Sequence, residues 1–248
     1  MRAMNILILA GALVAWGGQS SATEYEPDEA TEGHVPVATY EVHLLRPGEG
    51  IDPELMRADL EYTEMMARHH EGALTMSEGY LAHPRGTNPI VRKLAQAIIA
   101  NQRFEMGVLD QVRQSAQAEP QTILDLGFGQ MVARETGVDG LEHLERFVPR
   151  RPPGFLDFAL TSGGAASEFD VAFAKGMILH HRAPVDMART YNADPKGQNL
   201  VIRLMNLDII VDQAYEIGFL ERLIERFPGD AETVEPVPPA GMPMGHAH

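Results

Sequence analysis

Two histidine pairs, His69-His70 and His180-His181, stand 111 positions apart (180 − 69), and methionines bracket each pair in the same register. The first reads Met66-Ala67-Arg68-His69-His70-Glu71-Gly72-Ala73-Leu74-Thr75-Met76. The second reads Met177-Ile178-Leu179-His180-His181-Arg182-Ala183-Pro184-Val185-Asp186-Met187. A chain that repeats a fold for stability alone keeps its apolar pattern and lets polar identities drift. Here the polar and soft residues are the ones retained. Imidazole nitrogens and thioether sulfurs bind soft and borderline transition metals. The candidate metal ligands are therefore His69, His70, His180, His181, Met66, Met76, Met177 and Met187.

The repeat reaches well beyond the histidines. Residues 59–110 laid on 170–221 without a gap share 17 of 52 positions. They include Asp59/Asp170, Tyr80/Tyr191, Pro84/Pro195, Gly86/Gly197, Asn88/Asn199, Arg92/Arg203 and Ile98-Ile99/Ile209-Ile210. A second cluster follows with Gln102/Gln213, Glu105/Glu216, Gly107/Gly218 and Leu109/Leu220. A unit of this length fits a helical hairpin that cannot bury its apolar face alone.

Helix punctuation supplies the elements. Asp52 before Pro53 marks an N-cap, and that helix is expected to run to about Leu81. Asn88 before Pro89 opens a second, to about Gln117. Ser167-Glu168-Phe169-Asp170 reads as a capping box opening a third, to about Asn192, and a fourth runs from Asn199 to about Arg226. At 100° per residue, Met66, His69, His70, Ala73 and Met76 fall within an arc of about 120°, as do Met177, His180, His181, Pro184 and Met187. On the second helix of each copy, Gln102, Glu105, Met106 and Leu109, or Gln213, Glu216, Ile217 and Leu220, share a narrower arc. Each copy thus turns a His/Met face and a Gln/Glu face inward, where bundles build metal sites. Glu105 and Glu216 are expected to hydrogen-bond the ligating imidazoles, with Gln102 and Gln213 as further orienting groups. Pro184, where the first copy has Ala73, removes the hydrogen bond to the carbonyl of His180, so the halves are not equivalent.

The remaining segments carry less. Residues 1–22 read as a secretory signal: one basic residue, the apolar run Ile6 to Ala15, then Ser20-Ser21-Ala22. Cleavage there directs the chain to the periplasm or outside, with no membrane span left. Residues 23–51 are expected as an extended arm, with Thr39 to Leu45 able to form a short strand. Residues 118–166 are expected as a crossover connector with a short helix from Gly140 to Phe147, and 228–248 as a flexible tail. The two copies, 52–117 and 167–227, form one bundle. In the tail Met242, Met244, His246 and His248 alternate on a Pro/Gly/Ala background and are candidate soft-metal collectors. The chain has no cysteine, so neither disulfides nor thiolate ligation are available. Its 35 acidic against 20 basic residues, without a basic patch, argue against nucleic acid.

The duplicated Met-x-x-His-His helix followed by a Gln-x-x-Glu helix resembles the family called "domain of unknown function 305", exported bacterial proteins with one or two copies of a His-His motif. The resemblance covers residues 56–117 and 167–226. It implies an all-α, ferritin-like four-helix bundle made from two duplicated hairpins, and some relatives are associated with copper and copper tolerance. It places the family's histidines on His69, His70, His180 and His181 and its methionines on Met66, Met76, Met177 and Met187. The chain departs from the pattern at Pro184, where alanine is usual, and at Leu109 and Leu220, where relatives often carry methionine.

Three functions follow as expectations. The first is an exported, non-enzymatic copper-binding protein for tolerance, storage or delivery, with Cu(I) favoured over Cu(II) or zinc and other periplasmic copper-handling proteins as partners. The second is a ferritin-like di-metal carboxylate oxidase. It needs Glu-x-x-His ligands that neither histidine helix supplies, which leaves only Glu105 and Glu216. The third is a metal-free helical interaction module.

Overall fold

The structure is a computed structural model and describes residues 37–139 and 164–238. The expected signal segment, the short helix at Gly140 to Phe147 and the tail ligands Met242, Met244, His246 and His248 lie outside the described residues. Four long helices dominate: α1 (Pro53–Ala82), α2 (Pro89–Ala116), α3 (Glu168–Ala193) and α4 (Leu200–Glu225). Among the described residues no helix is long and apolar enough to cross a membrane.

Each helix starts where its side chains can satisfy free amides. Asp52 accepts from the Glu54 amide, Asn88 from Ile90 and Val91, and Asn199 from Ile202. Ser167 and Asp170 close a reciprocal capping box. The two hairpin turns are built alike. Gly86 sits so close to the chain that an added Cβ would lie 2.2 Å from the Tyr80 carbonyl oxygen, and Gly197 meets the Tyr191 carbonyl at the same 2.2 Å. Arg92 then donates to the carbonyls of Leu81 and Gly86, and Arg203 to that of Gly197. The shared Pro, Gly, Asn and Arg of the repeat thus belong to the turns. Nothing in the structure explains the shared Gly107 and Gly218, which face open space.

The hairpins assemble as one antiparallel four-helix bundle, with α1 packed on α3 and α2 on α4. Two hydrogen bonds define the relation between copies: Tyr80 donates to Asp170 (2.6 Å) and Tyr191 to Asp59 (2.5 Å). Adding 111 to the first pair's α1 member and subtracting it from the α3 member gives the second pair. This reciprocity is an approximate two-fold axis between α1 and α3. Apolar side chains form two separate clusters along the bundle. One gathers Met76, Tyr80, Val91, Ile98, Phe173, Met177 and Leu220; the other gathers Tyr62, Met66, Leu109, Val112, Ile202 and Ile209.

The bundle also carries a sheet: its first strand takes up the Thr39 to Leu45 segment that could form one, while its other two lie inside the expected connector, where none was foreseen. β1 (Val37–Leu45), β2 (Gln121–Asp125) and β3 (Gln130–Asp139) form an antiparallel sheet in the order β1-β3-β2. The strand pattern is masked because the inward face of β3 is Val132, Arg134 and Thr136, two of them polar, while β2 is exposed throughout. Gly137, at φ +144°, brings β3 down against Val112 and Val201. Arg134 is 1% exposed and reaches across to Asp59 on α1 (3.0 Å) and Glu41 on β1 (2.8 Å). The N-cap residue Asn199 donates to the Thr136 carbonyl at 2.8 Å. The sheet therefore closes the bundle end that holds the Asp59–Tyr191 pair.

Removing one partner of a buried ion pair strands the other. Arg134→Ala is expected to lower the unfolding free energy by about 3–5 kcal/mol, measured by urea denaturation. A loss below about 1 kcal/mol would show that the sheet does not clamp the bundle.

Candidate metal centre

Between the two apolar clusters lies a polar layer drawn from all four helices. His70, His180 and His181 are at most 1% exposed, and His69 is half-buried. His69 and His180 meet at the two-fold axis with ring centroids 3.9 Å apart and planes tilted by 49°. His181 lies 6.0 Å from His180, edge to face. The helical repeat dictates this layout, since adjacent histidines point about 100° apart. One histidine of each pair faces the other copy, and its neighbour faces the second helix of its own copy.

There it finds a carboxylate. His70 Nε2 lies 2.7 Å from Glu105 Oε2, and His181 Nε2 lies 2.7 Å from Glu216 Oε2. Each carboxylate fixes its ring and occupies Nε2, leaving Nδ1 of His70 and of His181 buried without a protein partner. Nδ1 of His180 and both ring nitrogens of His69 are likewise buried and unpartnered. Buried polar atoms are seldom left so. Burial, then repulsion from His70 and His181, lowers the His69 pKa to about 4. Burial and its three histidine neighbours lower that of His180 to about 2. Both rings are therefore neutral near pH 7, with a nitrogen lone pair on each, the form that binds a metal.

The other expected residues are placed less directly. Gln102 and Gln213 are each 2% exposed, but Gln102 Oε1 and both amide atoms of Gln213 have no protein partner, so neither is seen to orient an imidazole. Met66 and Met177, one turn from the histidines, are fully buried, and Met76 is 5% exposed. Met187 is half-buried against the cluster that holds Met66. Of the four expected methionines, each apolar cluster thus holds one from each copy, on either side of the layer, and the cluster with Met66 and Met187 also contains Met205. Among the described residues no group of three or more His, Asp or Glu side chains is arranged to hold a metal ion. Helix α3 passes through Pro184 as one continuous helix. The positioning pairs Asp59–Tyr191 and Asp170–Tyr80 were visible as repeat identities, but nothing in the sequence said that they bond across copies.

Fold and site together define a duplicated four-helix bundle with a buried imidazole layer at its internal two-fold. The chain belongs to the family described as domain of unknown function (DUF305), whose model matches residues 59–224. Searches of curated proteins and of solved structures return no match.

The depressed histidine pKa values make the metal-free protein sensitive to acid. Once unfolded, the rings take up protons below about 6.5; in the fold they do so only below about 4 for His69 and about 2 for His180. The unfolded state thus binds more protons in that interval, and stability falls as pH drops from 6.5 toward 4, at up to about 1.4 kcal/mol per pH unit per ring. Urea unfolding of chelator-treated protein at pH 7, 6 and 5 checks this against His69→Leu/His180→Leu. The variant should lose part of the dependence; identical slopes would contradict the assignment.

Proposed function

We propose that this protein is an exported copper-binding protein whose cargo is Cu(I), taken up by the histidine layer for tolerance, storage or delivery. The observation that carries the reading is the set of buried imidazole nitrogens without partners at the junction of the two copies. Thioethers on both sides add soft donors of the kind that select Cu(I). Zinc in structural sites takes four nitrogen, sulfur or oxygen ligands, usually tetrahedral. Met66 and Met177, fully buried one turn from the histidines, supply thioether sulfur, a donor that suits Cu(I) and that zinc sites do not use. A di-metal carboxylate centre is disfavoured because Glu105 and Glu216 are each engaged with a histidine. Residues 1–22 support export, which puts the protein where cysteine-free ligation resists oxidation. Proteins that exchange copper with it in that compartment are the expected partners.

Changing His69, His70, His180 and His181 together to alanine should abolish tight Cu(I) binding while far-ultraviolet circular dichroism stays helical. Competition with a Cu(I) chelator measures the first; unchanged affinity would remove the histidine layer from the site.

A chain stopped after Pro239 should bind less total copper, because Met242, Met244, His246 and His248 are gone, yet keep its tightest site, since helical ligands are preorganised. Excess zinc should displace little of that copper. Loss of the tightest site on truncation would make the tail the primary ligand set, and ready displacement by zinc would make the site a histidine site rather than a soft one.

A further inference from the structure

The internal two-fold lets each half of the α1/α3 seam be compared with the other, and their exposure differs in one direction. His69 is half-buried, whereas its equivalent His180 is fully buried. Met187 is half-buried, whereas its equivalent Met76 is buried. Met65 is 51% exposed, whereas the residue in its place in the second copy is the buried Gly176 (65 + 111). A Cβ on Gly176 would lie 3.1 Å from Met76 Cε, so these two positions are neighbours across the seam. The two-fold sets Met65 beside Met187 in the same relation. One half of the seam is closed and the other is open.

A stretch of chain accounts for the closure. After α4 the chain turns at a short 3-10 element, Ala231–Thr233, and residues 234–237 return along α3. Lys175 Nζ donates to the carbonyls of Ala231 (2.6 Å) and Val234 (3.0 Å), and the Val237 amide donates to the Ala172 carbonyl at 2.9 Å. Gly176 makes room, since a Cβ there would lie 2.2 Å from the Val237 carbonyl oxygen. A glycine in mid-helix weakens the helix, so its place here answers to close packing. In the first copy Glu64 and Met65 stand where the second has Lys175 and Gly176, so both anchors are missing. The halves thus agree at the histidines and diverge where the seam is covered.

We propose that Met65, Met187 and His69 form the single mouth through which Cu(I) reaches the imidazole layer, with the Met65 thioether as the capturing ligand at the surface. A lone exposed methionine is ordinary protein surface. This one is aligned with an uncovered imidazole. Met65 and His69 are four residues apart on α1, so they share a face with Cβ atoms about 5–6 Å apart. Thioether sulfur takes soft Cu(I) readily and hard cations poorly, which makes the mouth selective before the layer is reached. The neighbouring Arg68 is paired with Glu64, which offsets its charge toward an incoming cation. Passage inward is a ligand exchange in which a Cu–N bond to His69 forms as a Cu–S bond breaks, with no change of oxidation state. Holding the ion one helical turn from His69 makes that exchange intramolecular, at an effective concentration in the millimolar range. The proposal rests on the Cu(I) reading above but concerns the route to the layer, not the ligands that finally hold the ion.

The test compares the full chain with Met65→Leu, which removes the sulfur at similar volume, and Met65→Lys, which sets a positive charge in the mouth. The position is exposed, so both variants keep the fold. Stopped flow follows the rate at which each takes Cu(I) from a coloured Cu(I)–chelator complex, and equilibrium competition with the same chelator gives the affinity. Met65→Leu should slow loading by about ten-fold, and Met65→Lys by at least as much, while the affinity of the tightest site stays that of the parent. In protein carrying 13C-labelled methionine methyl groups, the Met65 signal, identified by its loss in Met65→Leu, should shift with the first additions of Ag(I), a redox-inert analogue of Cu(I). Tight binding with equal loading rates in all three proteins, or a Met65 signal that Ag(I) leaves unmoved, would overturn the mouth alone. A fall in affinity matching the fall in rate would also overturn it, by making Met65 a ligand of the final site. Absence of tight Cu(I) binding in the parent would overturn both the mouth and the function on which it rests.

Discussion

The arrangement depends on the register between α1 and α3. These two helices run antiparallel about an axis that passes between His69 and His180, and the reciprocal Tyr80–Asp170 and Tyr191–Asp59 bonds lock them at both ends. All four groups are buried, so a slip of one helical turn would strand two hydroxyl donors, at about 1–3 kcal/mol for each, and take one donor from each carboxylate. The same slip of about 5.4 Å would part the two imidazoles at the axis. The packing that makes one bundle out of two hairpins is thus also what makes one site out of two motifs.

A polar layer through the middle of an apolar core is costly unless its atoms are paired. Here pairing is partial. Glu105 and Glu216 each satisfy one histidine nitrogen, while both ring nitrogens of His69 and Nδ1 of His180, at the axis, stay unpartnered. The apolar clusters on either side carry the packing, so the bundle tolerates this defect, and such local conflicts with folding rules mark functional positions. The thioethers sit where the clusters border the layer. They serve as core side chains and, for a soft cation, as donors within a turn or two of the imidazoles.

The two-fold is exact neither at the ends nor at the centre. The Asp59 end is closed by the sheet through Arg134, whereas at the Asp170 end the Ser167 capping box engages the same carboxylate. His180 is more deeply buried than His69, and Pro184 stands beside it where the first copy has Ala73. Duplication set a symmetric frame, and later divergence gave each end its own cover.

Much of the frame was legible in the chain. N-caps such as Asp52, Asn88 and Ser167 act on their own neighbours, and the 3.6-residue period places His70 and Glu105 on inward faces, so both are local properties that sequence carries. The internal repeat went further, since an identity retained at Asp59 or Tyr80 marks a constrained position even when its partner is unknown. What the sequence could not carry was the partner. That Tyr80 bonds Asp170 rather than Asp59 of its own copy depends on the antiparallel docking of two hairpins. That residues 37–45 are a strand depends on β3 some ninety residues away, and on Arg134 pointing inward to meet Asp59. Periodicity encodes which face of an element is buried; only the packed chain decides what that face is buried against.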